Sequence, residues 1–256
     1  FQVPASSRRA IDAFIVMDVL RQPNELQASG LDAVHMAVGQ PADPAPMMVR
    51  AAAKMALDAG RIGYTNALGV EELRRRIARH YQEHYRLEIS PERIAVTTGS
   101  SSGFNLAFLA MFDAGDRVAI TRPGYPAYRN IMAALGIEVV EIPIGAEEGE
   151  LTGERLRDVH AHTPLKGLLF ASPANPTGAS LQPDIMKSLL LTAQDLGISV
   201  ISDEIYHRLS YVGGDTTALS VSDDVTIINS FSKFYCMTGW RIGWMVLPPS
   251  LVRAVE

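Results

Sequence analysis

The sequence predicts a three-layer α/β protein, in which helices cover both faces of a mainly parallel β-sheet. Short strand-like runs alternate with helical patterns from residue 94 onward, as they do in doubly wound folds. Some runs, such as residues 226–228, are apolar enough to be buried strands. The chain has 256 residues, of which 47% are hydrophobic, so it can form one large domain with a substantial core.

Helical patterns come before this alternation. The first has apolar residues on one helical face: Ile11, Phe14, Ile15 and Val19. A second pattern covers residues 45–59 and is closed by Gly60. A third, which is highly charged, covers residues 70–85 and ends near Pro91.

Strands then follow at regular intervals along the chain. Strand-like runs lie at residues 94–98, 117–121, 138–142, 167–171, 198–202, 225–229 and 240–247. Helical patterns, including an apolar one at residues 104–112, fill most of the gaps. The last residues, 249–256, indicate a helix that has only begun, with Ser250 as its N-cap. Because Phe1 is also not an initiator methionine, we expect the chain to be a fragment.

Composition favours a small ligand over a macromolecular one. The 23 basic and 28 acidic residues give a net charge of −5, which offers no strong attraction to nucleic acid or to an anionic membrane. No segment is long and apolar enough to span a bilayer. The single cysteine, Cys236, excludes an intrachain disulfide and favours a reducing compartment. We therefore expect the cytoplasm, with neither nucleic acid nor membrane as a partner.

The histidines do not predict a metal site. His80 and His84 have the i, i+4 spacing that can bind zinc, but their helix is rich in Arg and Glu and supplies no third ligand. The remaining histidines form no recognisable set: His35, His160, His162 and His207. We therefore expect no metal.

Lys233 is the leading candidate for a catalytic residue. It lies in a turn of small residues between the strands predicted at 225–229 and 240–247. Connections that follow buried strands are where α/β proteins place their chemistry. An apolar setting and a nearby cation such as Arg241 would lower the lysine pKa and make its amine nucleophilic. The alternative is a solvated surface lysine, which does not fit these flanking strands.

Other polar residues follow other predicted strands. Asp203 comes directly after residues 198–202, where an unpaired carboxylate would be costly, so it either pairs with a protonated ring nitrogen or caps the next turn. Tyr206 and the amide of Asn175 either hydrogen-bond a phenolate oxygen or are structural polar groups. Tyr125 either stacks on an aromatic ring or packs in the core.

A turn of small residues is a candidate phosphate site. Residues 97–103, Thr-Thr-Gly-Ser-Ser-Ser-Gly, join a strand to a helix and leave backbone N–H groups accessible at the helix N-terminus. The turn lacks the Gly-Lys-Ser/Thr of a nucleotide P-loop and the spacing of a dinucleotide fingerprint. A simple helix cap is the alternative. Arg241 could supply a second phosphate contact.

Taken together, these motifs resemble the class I/II aminotransferases, which are pyridoxal 5'-phosphate enzymes of fold type I related to aspartate aminotransferase. The resemblance runs from Ser6 to about Pro248. It rests on Asn-Pro-Thr-Gly at 175–178, Asp-Glu-Xaa-Tyr at 203–206 and Ser-Xaa-Ser-Lys-Xaa5-Gly-Xaa-Arg-Xaa-Gly at 230–243. The occurrence of all three in this order is far more specific than any single match.

The resemblance implies pyridoxal 5'-phosphate as the cofactor and Lys233 as the residue that forms a Schiff base with it. The implied phosphate ligands are Ser100, Ser101, Ser230 and Arg241. Tyr125 would stack on the pyridine ring, Asp203 would pair with its nitrogen, and Asn175 and Tyr206 would contact its 3-oxygen. The implied catalytic residues are Lys233, Asp203 and Tyr206, and the implied substrate contacts are Gly39, Asn175 and Tyr125. Many relatives carry tryptophan in place of Tyr125, so their substrate preference does not transfer.

Tyr64 resembles the tyrosine that reaches the phosphate of a neighbouring subunit, which implies a homodimer. The implied activity is transfer of an amino group between an amino acid and a 2-keto acid. A carbon–sulfur lyase acting by β-elimination would use the same Lys233 and Asp203 and is the alternative. A transcription regulator with an aminotransferase-like module would also need a basic DNA-binding domain, and nothing before Ser6 could form one.

The resemblance also implies a division into two domains. Residues 1–40 would be the N-terminal segment of a small domain, and residues 41–256 would form the large cofactor-binding domain. The rest of the small domain, with the arginine for the substrate α-carboxylate, would lie beyond Glu256.

Overall fold

The strands form a single mixed sheet in the computed structural model, which describes residues 6, 11, 15–32, 34, 36, 38–60, 62–211 and 213–256. The strands are β1 (Ile94–Thr97), β2 (Arg117–Arg122), β3 (Glu138–Pro143), β4 (Gly167–Ala171), β5 (Ser199–Asp203), β6 (Val225–Ser230) and β7 (Gly243–Val246). Within the described residues the sheet has seven strands in the order β1-β7-β6-β5-β4-β2-β3. Only β7 runs opposite to the other six described strands, so the prediction of a mainly parallel sheet is confirmed.

The helices are α1 (Ile15–Ala28), α2 (Met47–Asp58), α3 (Glu71–Tyr85), α4 (Gly99–Met111), α5 (Pro126–Leu135), α6 (Gly153–His162), α7 (Pro183–Asp195) and α8 (Val252–Val255). Most of them match the predicted patterns closely, and α4 begins five residues before the predicted start at 104, at Gly99. None of the helices in the described part combines the length and apolar character that a membrane span requires.

Several predicted boundaries were wrong. The strand expected at 240–247 begins only at Gly243, because Thr238–Trp240 form a 3₁₀ turn. Ile11 lies in a bend before the first helix, and Phe14 falls outside the described residues. Ser250 does not cap the last helix, since it lies inside a 3₁₀ turn, Pro249–Leu251, that precedes α8.

Apolar clusters lie on both faces of the sheet and confirm the three-layer arrangement. One cluster joins α4 and α5 to the sheet and includes Phe104, Phe108, Met132, Ile228 and Met245. The other joins α3, α6 and α7 to the opposite face and includes Tyr81, Leu156, Leu168, Leu189 and Trp244. Trp244 donates a hydrogen bond from Nε1 to the Tyr81 hydroxyl at 3.2 Å, so the polar atoms of both buried rings are paired.

Strand direction brings the polar loops to one edge of the sheet. The parallel strands β2, β4, β5 and β6 have their carboxyl ends at the same edge. Because β7 is antiparallel to both β6 and β1, the carboxyl end of β1, and with it the start of α4, lies at that edge as well. In open α/β sheets this edge is where ligands bind.

Candidate active site

A cavity of about 510 Å³ opens at the carboxyl edge of the sheet. Its lining includes most of the residues that the sequence singles out: Gly39, Ser100, Ser101, Tyr125, Asn175, Asp203, Tyr206, Lys233 and Arg241. These residues come from six separate segments of the chain, and the strand order brings the loops that follow the strands together. The structure therefore brings these residues together around one cavity.

Lys233 is half-buried in the turn after β6, with its amine directed into the cavity. Its Nζ donates a hydrogen bond to the carbonyl oxygen of Gly39 at 2.7 Å and lies 5.7 Å from the centre of the Tyr206 ring. Burial lowers the pKa of Lys233, Asp203 opposes this shift and Arg241 adds to it. A lowered pKa leaves more of the amine unprotonated at neutral pH, which a nucleophilic lysine requires.

Asp203 is the last residue of β5 and is only 4% exposed. Its Oδ1 accepts a hydrogen bond from the amide of Ile205 at 3.0 Å, and its Oδ2 accepts one from the Tyr128 hydroxyl. Burial raises the pKa of Asp203 to about 6, and these two hydrogen bonds limit the rise. The carboxylate thus caps the next turn and still lines the cavity, where a cationic partner would stabilise its charge.

Asn175 and Tyr206 converge on the cavity from different loops. The Nδ2 atom of Asn175 lies 3.4 Å from the Tyr206 hydroxyl and donates to it. Burial raises the pKa of Tyr206, so its hydroxyl stays protonated at neutral pH and can donate a hydrogen bond. An amide and a phenol placed side by side can therefore both contact one ligand oxygen.

The first turn of α4 forms the other end of the cavity. The helix begins at Gly99, so the N–H groups of its first residues, including Ser100 and Ser101, have no partner within the helix. Gly99 has φ of +75°, and a β-carbon there would collide with the guanidinium of Arg241. Arg241 also donates from Nη1 to the carbonyl oxygen of Thr238 at 2.8 Å. A fixed cation beside a helix N-terminus is suited to an anion such as a phosphate group.

Comparison with known proteins identifies the family. The model of the family described as aminotransferase class I and II matches residues 32–256. The chain belongs to the class I/II aminotransferase family. Members of this family depend on pyridoxal 5'-phosphate, and the fold is that of fold type I.

Individual relatives agree with this assignment. Valine–pyruvate aminotransferase of Mycobacterium tuberculosis is 46% identical over 252 residues, which are 97% of this chain and 64% of that protein. A crystal structure of an aminotransferase from Mycobacterium tuberculosis superposes with a TM-score of 0.94 at 45% identity, over 99% of this chain and 66% of that one. The structure of Thermus thermophilus aspartate aminotransferase with maleate superposes with a TM-score of 0.93 at 32% identity, over 99% of this chain and 67% of that one. The chain thus spans about two thirds of the length of these relatives.

The side chains that line the cavity fit pyridoxal 5'-phosphate, the cofactor of the aminotransferase family. The amine of Lys233, the buried carboxylate of Asp203 and the paired Asn175 and Tyr206 offer one partner for each polar group of a pyridoxal ring. The start of α4, together with Arg241, offers donors for its phosphate. Tyr125, at the N-terminus of α5, adds an aromatic face to the cavity lining.

Ser230 and Tyr64 lie apart from the cavity lining. Ser230 is 2% exposed, and its hydroxyl accepts a hydrogen bond from the amide of Ser232 at 2.9 Å. Ser232, rather than Ser230, lines the cavity. Tyr64 is fully exposed. The role of Ser230 beside the phosphate and that of Tyr64 in a neighbouring subunit therefore stay predictions.

The histidines give no metal centre in the part of the chain that can be described. There, no group of three or more His, Cys, Asp and Glu side chains is arranged to hold a metal ion. The rings of His80 and His84 lie 4.3 Å apart, and burial lowers the pKa of His80 to about 4, with the neighbouring His84 adding to the shift. His35 lies outside the described residues.

Tyr128 is a site residue that sequence reasoning missed. It is the third residue of α5, is 4% exposed and packs edge-on against the rings of Phe104 and Tyr125. Its hydroxyl donates to Asp203, whose carboxylate it stabilises. The available signal was its i, i+3 spacing from Tyr125, which places both side chains on the same side of the helix start.

Replacing Tyr128 by phenylalanine should shift the pH profile of catalysis. Loss of the hydroxyl removes a hydrogen bond that lowers the pKa of Asp203, so that pKa rises further and the carboxylate is protonated at higher pH. We expect the acid limb of the kcat/KM profile to move to higher pH and kcat at neutral pH to fall by about tenfold. Tyr211→Phe, at a fully exposed position, is the control. An unchanged acid limb would contradict this role.

Proposed function

We propose that the protein is a pyridoxal 5'-phosphate-dependent aminotransferase, which moves an amino group between an amino acid and a 2-keto acid. One observation carries the proposal: the amine of Lys233, the carboxylate of Asp203 and the Asn175–Tyr206 pair line the same cavity of about 510 Å³. Membership of the aminotransferase family supports the reaction class. The relatives named above are aminotransferases, and none of them is a carbon–sulfur lyase.

Each polar residue has a defined task in this proposal. When bound, the cofactor supplies an electron sink for the bonds at the substrate α-carbon. Lys233 would hold the cofactor covalently through Nζ and, as a free amine, would carry the substrate α-proton from the α-carbon to a second carbon instead of returning it. Asp203 keeps the proton on the ring nitrogen through its negative charge. Asn175 and Tyr206 orient the ring by holding its 3-oxygen.

For the substrates, we propose an amino donor with an aliphatic side chain and pyruvate as the acceptor. The name of the Mycobacterium tuberculosis relative, valine–pyruvate aminotransferase, supports this pair. Leu20 and Val38 supply apolar side chains to the cavity lining, and such surfaces favour apolar groups. Relatives at about a third identity carry the name aspartate aminotransferase, so aspartate is the competing donor.

The experiment combines the purified full-length protein with one donor and one acceptor at a time. We expect valine and pyruvate to give alanine and the keto acid of valine in equal amounts, faster than aspartate and 2-oxoglutarate react. Release of pyruvate and ammonia from an S-alkylcysteine without any acceptor would favour the lyase instead. Absence of amino transfer with every donor and acceptor pair would overturn the proposal.

A homodimer is part of the proposal. Helix α2 has no buried residue, and its methionines Met47, Met48 and Met55 are exposed, as is the nearby Tyr64. Exposed apolar surface of this kind is typical of a protein interface. Tyr64 is fully exposed, which a contact to the phosphate in a second subunit requires.

Replacing Tyr64 by phenylalanine should weaken cofactor binding without changing the assembly. We expect the dissociation constant of pyridoxal 5'-phosphate to rise by about tenfold, because one hydrogen bond to a charged group is lost. Light scattering should give the mass of a dimer for both proteins. A monomeric wild type, or an unchanged dissociation constant in the variant, would contradict the role of Tyr64.

The domain division is proposed from the family resemblance, and the compartment is proposed from the cysteine content. We propose that residues 1–40 belong to a small domain and that residues 41–256 form the large cofactor-binding domain. A protein with one cysteine in 256 residues suits the reducing cytoplasm. Limited proteolysis of the full-length protein and cell fractionation would test these two points.

A further inference from the structure

A buried histidine behind the cavity connects two of the loops that form it. His207 follows Tyr206 directly and is 4% exposed. Its Nε2 lies 2.9 Å from the carbonyl oxygen of Ser172, the first residue after β4. A carbonyl oxygen only accepts hydrogen bonds, so Nε2 carries a hydrogen and donates it. The loop that begins at Ser172 leads to Asn175, whereas His207 belongs to the loop after β5.

The other ring nitrogen of His207, Nδ1, contacts the end of α3 and the loop after β5. Nδ1 lies 2.7 Å from the hydroxyl of Tyr85, at the end of α3, and 3.5 Å from Oε2 of Glu204. Glu204 is fully buried, and its Oε1 accepts hydrogen bonds from the Ala218 amide at 2.9 Å and the Thr217 hydroxyl at 3.0 Å. Contacts at both nitrogens therefore fix the orientation of the His207 ring.

We propose that His207 is a positioning residue that holds the Asn175 loop against the loop of Asp203 and Tyr206. Ser172 is attached to the second loop twice, because its amide donates to the carbonyl oxygen of Asp203 at 3.1 Å and its carbonyl accepts from His207. The direct contact between Asn175 and Tyr206 is longer, at 3.4 Å. The alignment of the amide and the phenol thus depends on the attachment at Ser172. This inference rests on the proposed function.

Two substitutions separate the contributions of the two ring nitrogens. In His207→Gln the side-chain amide reaches the position of Nε2 and keeps a donor for Ser172, whereas in His207→Asn it reaches only the position of Nδ1. The Asn variant therefore leaves a buried carbonyl without its donor. We expect it to raise the dissociation constant of pyridoxal 5'-phosphate for the apo protein, and to lower kcat, by about tenfold or more, with KM for the donor little changed. The Gln variant should stay within about threefold of wild type.

The control is His162→Asn, at an exposed position on α6. The inference would be overturned if His207→Asn and His207→Gln changed the cofactor dissociation constant and kcat equally. It would also be overturned if His207→Asn lowered thermal stability and changed neither of these quantities. If the Asn variant does not fold, His207→Met, which fills the space without a donor, takes its place. If neither folds, the Gln variant decides alone: near-wild-type cofactor affinity supports the inference, and a tenfold loss overturns it.

Failure of the proposed function would be visible separately. In that case the wild-type protein itself would transfer no amino group. The comparison of cofactor affinity among the variants needs no catalytic turnover and would still test the attachment at Ser172.

Discussion

Lys233→Ala is expected to lower kcat for amino transfer by at least about a thousandfold, because one side chain both holds the cofactor and moves the α-proton. The amine lies in the cavity, half-buried, and no other described lysine lines it. The measurement is the steady-state rate at saturating donor and acceptor, together with the absorbance of bound cofactor. The variant should lose the absorbance of the lysine-linked cofactor while still folding.

Lys187→Ala is the matched control, since Lys187 is exposed on α7. It should retain wild-type kcat. A Lys233→Ala variant that keeps a tenth or more of the wild-type rate, with an unchanged absorbance spectrum, would show that another residue carries the chemistry.

Asp203→Asn should change activity and stability in opposite directions. An amide has no charge to keep the proton on the ring nitrogen, so we expect kcat to fall by about a hundredfold or more. The same substitution removes a buried carboxylate whose pKa burial raises to about 6. The apo protein should therefore become more stable at neutral pH, by about 2–3 kcal/mol.

The raised pKa of Asp203 also predicts how the stability of the apo protein depends on pH. Between its ordinary pKa of 3.8 and its folded value of about 6, Asp203 binds more protons in the folded than in the unfolded protein. The free energy of unfolding of the wild type consequently decreases as pH rises through this window, relative to the Asn variant. Urea titrations of both apo proteins at pH 4 and pH 7.5 measure the difference. A difference that does not grow from acid to neutral pH would contradict the raised pKa.

Residues that directly follow strands were the easiest to assign from sequence. Asn175, Asp203 and Lys233 each lie at or after the carboxyl end of a parallel strand, and parallel strands have their carboxyl ends at one edge. Strand runs were recognisable because β-branched and apolar residues occur in short segments between helical patterns. Topology then determines that these residues meet, whatever the details of packing.

Side-chain direction was harder to predict, because it depends on how each element is rotated. Ser230 lies at the end of β6, and the sequence did not reveal that its hydroxyl accepts a hydrogen bond from the amide of Ser232. Tyr128 points from α5 to a carboxylate 75 residues later in the chain. Neither periodicity nor a local motif contains that information.

His207 shows the same limit over a longer range. Its partners are the carbonyl of Ser172, 35 residues earlier, and the hydroxyl of Tyr85, 122 residues earlier. The sequence gives no reason to group these residues, and the histidines considered alone form no recognisable set. The group exists only because the end of α3 and the loops after β4 and β5 pack together.

The most direct test of the central claim is to locate the covalent attachment of the cofactor. Borohydride reduction of the full-length holoenzyme makes the bond between cofactor and lysine permanent, and peptide mass spectrometry then identifies the modified residue. We expect the added mass on the peptide that contains Lys233. Modification of Lys54, Lys166, Lys187 or another lysine instead, or no stable modification of the cofactor-loaded protein, would contradict the account.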